Sequence, residues 1–167
     1  NVYEGVDVVG SDAYNATKAI LQRIDPDIVT FQELKTNSYY YSNWTNLASD
    51  LGYSNIAFGA NGPFSGNFYV GYYSRYPITD IHTVTSPPGA VEFSRYPLRV
   101  VVSVPDVANP LVLWATHHKA STEQASAFRR AIEAHRINQD IEAYLAANTT
   151  HTEYVFLGDL NDDIDRS

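Results

Sequence analysis

The chain contains neither cysteine nor methionine, and only three of its 167 residues are lysine. The lack of cysteine excludes disulfides, thiol nucleophiles and thiolate metal sites. No apolar run approaches twenty residues, so nothing in the sequence reads as a membrane span. No charged segment followed by an apolar one opens the chain, so a signal peptide is not expected within it. The first residue is Asn1 rather than methionine, which reads as a processed or cut start. Positive charge is also scarce: the net charge of −8 argues against a broad nucleic-acid grip built on counterion release. It leaves room for a nuclease whose phosphate contacts are few, local and assisted by a metal. The surplus of carboxylates is compatible with a divalent cation. Few lysines, no methionine and thirteen tyrosines resemble an exported protein more than a cytosolic one, so the expectation is a secreted protein. The sequons at Asn15, Asn43 and Asn148 matter only in a glycosylating pathway.

What is present suits one globular domain over 1–167: the apolar content is 44%, and there is no repeat, low-complexity tract or linker. Gly10-Ser11-Asp12 supplies stop and cap signals for a helix over 13–24, with Ala16, Ile20 and Ile24 as its inner face. Pro26 closes it. Ile28-Val29-Thr30-Phe31 reads as a buried strand delivering Gln32 and Glu33 at its end. A second helix is expected over 42–51, stopped by Gly52. Strand signals follow at 55–59, 68–74, 91–93, 98–104 and 111–116, with turns at Asn61-Gly62, Ser65-Gly66 and Pro87-Pro88-Gly89. Ser121 and Gln124 form a capping box for a helix to about 147, with Phe128, Ile132, Ile137, Ile141 and Leu145 inward. Tyr154-Val155-Phe156-Leu157 reads as a final buried strand. The pattern predicts an α/β layered domain, with sheet covered by helices and antiparallel meanders in the middle.

Polar residues that break this pattern gather at strand ends, where sheet proteins often build a site. They are Asn1, Glu33, the run His117-His118-Lys119, and the pair Asp159 and Asn161 after Gly158. If the strand stays extended past Gly158, Asp159 and Asn161 point the same way. The set suits phosphoryl chemistry. One carboxylate can hold a hard divalent cation and another can orient or deprotonate a water. Amides and an imidazole can bond the phosphate oxygens. Arg95 is a fork donor within reach of a phosphate or of a structural acid. Arg75 reads as ordering the turn before Pro77. Tyr39-Tyr40-Tyr41 with Trp44 reads as an aromatic loop packing on its own domain rather than a base-stacking platform. Asp162, Asp163 and Asp165 are only a weak echo of a calcium loop.

Five motifs stand in order: Asn1-Val2, Asp27-x-x-x-x-Gln32-Glu33, Ser74-Arg75-Tyr76-Pro77-Ile78, Thr116-His117-x-Lys119-Ala120 and Gly158-Asp159-Leu160-Asn161. Together they resemble the endonuclease/exonuclease/phosphatase superfamily over residues 1–161. The resemblance implies a four-layer α/β/β/α sandwich and cleavage of phosphate esters with Mg²⁺ or Mn²⁺. It implies Glu33 as the principal metal ligand, with Asn1 beside the metal and phosphate. His117 falls at the histidine that contacts the scissile phosphate. Asp159 falls at the carboxylate that aligns the water, and Asn161 at its phosphate-binding neighbour. Two positions depart from the family pattern. His118 stands where leucine is common, and the family's closing Ser-Asp-His motif has no counterpart. The expectation is therefore a member lacking its C-terminal strands and the opening of its first strand. The expected function is a metal-dependent hydrolase of phosphate esters, a phosphodiesterase such as a nuclease, with nucleic acid among the candidate substrates. The alternative is a catalytically inactive domain of the same fold that binds a phosphate-containing ligand or a partner protein.

Overall fold

The computed structural model describes residues 1–2, 6, 8–35, 38–60, 62–63 and 68–162, the side chains of residues 38, 39 and 68 excepted. The element order is α1 (Asp12–Ile24), β1 (Ile28–Lys35), α2 (Ser38–Asp50), β2 (Asn55–Phe58), β3 (Phe68–Ser74), β4 (Ile78–Thr83), β5 (Leu98–Val102), β6 (Leu111–His117), α3 (Gln124–Ala147) and β7 (Glu153–Asp159). One sheet has the order β1-β3-β2, the other β4-β5-β6-β7. All pairings are antiparallel except β6 with β7, which α3 connects as a crossover.

Three apolar clusters show why these pieces stack in four layers. Tyr14 and Leu21 of α1 and Trp44 and Leu47 of α2 pack on Phe31, Leu34 and Tyr73 of the first sheet. Between the sheets lie Ala57, Val70, Tyr72, Leu98, Val100, Val102, Leu113 and Ala115. On the far side Val101, Val112 and Trp114 meet Ile137 and Ile141 of α3. Alternation along β5 and β6 sends successive residues to opposite layers, so each strand feeds two cores. The expected α/β/β/α sandwich is therefore present. Among the described residues no helix is long and apolar enough to cross a membrane.

Several local expectations need correction. The inner face of α1 is Tyr14 and Leu21, whereas Ile20 and Ile24 are exposed. Tyr14 and Leu21 pack with Phe31, Leu34 and Tyr73, and the Tyr14 hydroxyl also donates to Asp50 of α2. Helix α2 begins at Ser38, four residues before expectation. Residues 91–93 form no strand; the N–H groups of Glu92 and Phe93 both point to the Ser86 hydroxyl. Strand β4 was not anticipated, because its residues are largely exposed and carry little alternation. Helix α3 starts at Gln124 behind Glu123, which makes no side-chain cap bond, so the Ser121 capping box does not form. Phe128 is 68% exposed, and the inward positions of that half of α3 are Ser126, Arg130 and Glu133. Among the described residues β7 is the outermost strand of its sheet, and Tyr154, Val155 and Phe156 are exposed rather than buried. The turns at Asn61 and at Ser65-Gly66, with Asp163 and Asp165, lie outside the described residues.

Candidate active site

Glu33 reaches the site through an irregularity. The β1–β3 register pairs Gln32 with Val70 and Leu34 with Tyr69, so Glu33 is an unpaired bulge residue. Its φ of +64° lies in the left-handed region, rare for a residue with a Cβ. Bulges re-aim a side chain out of the sheet's alternation, and this one frees Glu33 from the core pattern of Phe31, Gln32 and Leu34. Glu33 is thus inside a strand that continues to Lys35, not at the strand's end as expected.

Asp159 arrives from the other sheet. In the parallel β6–β7 ladder Thr116 pairs with Gly158 and His117 with Asp159. A Cβ on Gly158 would lie 2.1 Å from the Thr116 carbonyl oxygen, and Gly158 has φ +136°. Only glycine lets the end of β7 lie this close to β6 and carry Asp159 beside His117. Asn161 does not continue the strand. Its φ is +51°, its N–H donates to Asp159 Oδ1 at 3.0 Å, and its side-chain amide donates to the His118 carbonyl at 2.9 Å. The two side chains are therefore not parallel projections of one extended end, as the sequence had suggested. Asp159 caps a tight turn that Asn161 completes.

Asn1 joins the halves. Its backbone neighbour Val2 donates to the Gln32 carbonyl at 3.1 Å, which anchors the segment along β1. The Asn1 amide nitrogen donates to Glu33 Oε1 at 2.9 Å and to Asp159 Oδ2 at 3.1 Å. His117 Nε2 stands 3.7 Å from the same Glu33 oxygen and 3.8 Å from the same Asp159 oxygen. These last distances are too long for hydrogen bonds. Asn1, Glu33, His117 and Asp159 thus surround one point. Arg95 lies within electrostatic reach of Glu33 and Asp159, with one guanidinium nitrogen donating to the His118 carbonyl at 3.2 Å. His118 faces away, its ring against Phe156. Arg75 pairs with Asp25 and Asp27 and lies over Tyr53, a structural role. Trp44 is fully buried in the core, and Asp162 accepts from Arg130.

The electrostatics separate the groups. Burial lowers the His117 imidazole to about 4; the Arg95 charge adds to this, and Asp159 and Glu33 oppose it. His117 is therefore neutral near pH 7, and its approach to the carboxylates is dipolar rather than ionic. Burial alone would raise Asp159, but hydrogen bonds from the Asn1 amide and the Asn161 N–H outweigh it and hold the carboxyl below its usual range. Burial also lowers the Arg95 guanidinium, against the charges of Glu33, Glu133 and Asp159.

The donor set suits a hard cation. Two carboxylates converge on one amide nitrogen, and like charges so close favour a cation between them. Among the described residues no three carboxylate or imidazole groups close into a cage. Magnesium fits such an open set, since it keeps several waters and uses one or two carboxylates. Asn1 stands between the two acids, and its amide turned over would present its oxygen to the same cation.

These shifts have a measurable consequence for stability. The folded pKa of His117 is about 4, below an unfolded value of about 6.5. Over that window the unfolded chain binds more protons, so stability falls as pH falls. Burial lowers His118 as well, and it acts in the same sense. The contribution of Asp159 is present above the usual carboxylate range and is lost as pH falls through its lowered value. The expected result is a melting temperature that drops between about pH 6.5 and about pH 4, with a shallower slope in His117→Gln. A flat profile would contradict this electrostatic picture.

Residues 1–166 match the model of the Endonuclease/Exonuclease/phosphatase family. The chain belongs to this family. Solved structures agree on the fold. Truncated Caenorhabditis elegans TDP2 aligns with TM-score 0.68 at 15% identity, covering 98% of this chain and 62% of that one. The human nocturnin catalytic domain with bound sulfate aligns with TM-score 0.74 at 15% identity, covering 98% and 62%. A family member from Beutenbergia cavernae gives 0.69 at 20% identity, covering 96% and 46%. The chain thus spans less than two thirds of the length of each. None of the curated proteins matches it in sequence. Within the family fold, the point where Asn1, Glu33, His117 and Asp159 meet lies at the seam of the two sheets. The structure brings together these four residues that the sequence singles out, and adds the bulge at Glu33 and the bond from Asn1 to both acids. Sequence reading passed over Glu133, which shows in the sequence only as a charge where α3 should turn an apolar residue inward.

Proposed function

We infer that the chain carries the site of a divalent-metal-dependent phosphoesterase, a phosphodiesterase such as a nuclease. The observation that carries this reading is the single amide of Asn1 bonded to both Glu33 and Asp159, with neutral His117 facing the same two oxygens. Glu33 and Asn1 would hold Mg²⁺ or Mn²⁺, which when bound supplies positive charge against the phosphate oxygens. Asp159 is ionised at neutral pH and can accept a hydrogen from water, setting it in line for attack. Neutral His117 has one N–H to offer a non-bridging oxygen. The second amide hydrogen of Asn161 and the free directions of the Arg95 fork are further donors for the phosphate. Membership of the family supports the reading. So does ANGEL2, described as a 2′,3′-cyclic phosphatase, which shares the fold with TM-score 0.70 at 13% identity.

The substrate class is tested by incubating the longest natural form of the protein containing this chain with plasmid DNA, RNA, sphingomyelin and inositol phosphates. Hydrolysis of a phosphate ester in Mg²⁺ is expected, with loss of turnover in EDTA and recovery on adding Mg²⁺ or Mn²⁺. Turnover unchanged by EDTA would remove the metal from the mechanism. Saturable phosphate binding with no turnover on any substrate would instead identify an inactive binding domain.

A further inference from the structure

The first half of α3 breaks the rule by which a helix turns apolar residues to a sheet. Its inward positions are Ser126, Arg130 and Glu133, and Glu133 is only 1% exposed. A carboxylate in such a place is costly unless its oxygens are satisfied. Those of Glu133 are satisfied by two different loops. Oε1 accepts from the Ser94 N–H at 2.7 Å, and Oε2 accepts from the Lys119 N–H at 2.8 Å. One turn earlier Arg130 donates to the Lys119 carbonyl at 3.1 Å and to the Ser121 carbonyl at 2.7 Å. Lys119 is therefore gripped by its N–H and its carbonyl from the same helix face.

The two loops that Glu133 ties together carry donors of the site. Ser94 precedes Arg95, and Lys119 follows His117-His118. Between them the His118 carbonyl accepts from Arg95 at 3.2 Å and from Asn161 at 2.9 Å, while the His118 N–H donates to the Asp159 carbonyl at 2.9 Å. A buried leucine at this position would fill the space but leave both N–H groups without acceptors, and nothing would fix the spacing of the loops.

We propose that Glu133 is a positioning residue of the site: it sets the separation of the Arg95 and His117-His118 loops, and so aims Arg95 at the point where Glu33 and Asp159 meet. The proposal rests on the phosphate-binding reading above. It predicts that Glu133 acts through Arg95 and not merely through stability.

The test is a double-mutant cycle on the whole chain in Mg²⁺, with inorganic phosphate as the probe and hydrogen exchange at the Ser94 and Lys119 amides as a second readout. In Glu133→Gln one acceptor oxygen becomes a donor NH₂, so one of the two amides exchanges faster. Phosphate affinity should fall about tenfold, the scale of one lost charge-assisted hydrogen bond. Arg95→Ala should show a similar loss, and the double variant should bind no more weakly than Arg95→Ala alone. Independent losses that multiply in the double variant would overturn the proposal. So would faster exchange with unchanged affinity, or wild-type chain that binds no phosphate. Should Glu133→Gln fail to fold, Glu133→Asp carries the same cycle. It keeps the charge but falls one methylene short of spanning both amides. If Arg95→Ala leaves binding intact, the route through Arg95 is wrong, while the hydrolase reading still stands or falls on Glu33 and Asp159.

Discussion

Changing Asp159 to asparagine should lower kcat by roughly 10²–10⁴-fold, the span typical of removing a positioned general base. The asparagine keeps the volume and can still accept from the Asn161 N–H through its amide oxygen, so the turn at the end of β7 should persist. What disappears is the ionised oxygen that now accepts from Asn1 at 3.1 Å. An amide nitrogen placed there would face the Asn1 amide nitrogen donor to donor. Glu33→Gln should act differently, because that side chain is proposed to hold the metal rather than the water. Its loss of turnover should be partly recovered by raising the Mg²⁺ concentration, whereas that of Asp159→Asn should not. Steady-state rates at several Mg²⁺ concentrations separate the two. Equal rescue of both variants would show that the roles are not divided in this way.

Gly158→Ala is expected to be the most destabilising methyl addition in the described chain that leaves all polar groups in place. Its Cβ would lie 2.1 Å from the Thr116 oxygen and 2.9 Å from the Thr116 nitrogen, both backbone atoms of β6. Neither can rotate away, so the strands must separate. Overpacking costs about 1–3 kcal/mol, and an unfavourable φ of this kind about as much again. At roughly 2–4 °C per kcal/mol for a chain of this size, the melting temperature should fall by about 10 °C. Because Asp159 follows directly, phosphate binding by the remaining folded fraction should weaken too. A variant melting within roughly 2 °C of the wild type would mean that β7 tolerates displacement from β6.

Much of this was legible in the residues. The apolar run before Glu33, the Gly158-Asp159 turn and the polar ends of β6 and β7 mark the site, because local propensity and burial agree there. What escaped reading has physical causes. A bulge inserts one residue without altering composition, so nothing in Ile28-Val29-Thr30-Phe31 announces that Glu33 leaves the alternation. The left-handed turn at Asn161 depends on a bond to His118, a partner 43 positions away. Phe128 and Ile20 look inward by periodicity, but what each helix faces is set by its neighbours. The first half of α3 faces polar loops, and α1 turns Tyr14 and Leu21 to the first sheet. Tyr154, Val155 and Phe156 read as core by composition, yet among the described residues no strand lies beyond β7 to help cover them.

The Asn1 amide bridges residues from distant parts of the chain: Glu33 lies 32 positions away and Asp159 lies 158. The entropy of closing a loop grows only with the logarithm of its length. Closing the larger circuit therefore costs only about 1.4 kcal/mol more than the smaller, comparable to a single charge-assisted hydrogen bond. Distance along the sequence is thus a minor expense in assembling this centre. Holding the two sheets in register is the larger task, and it falls to the core between them.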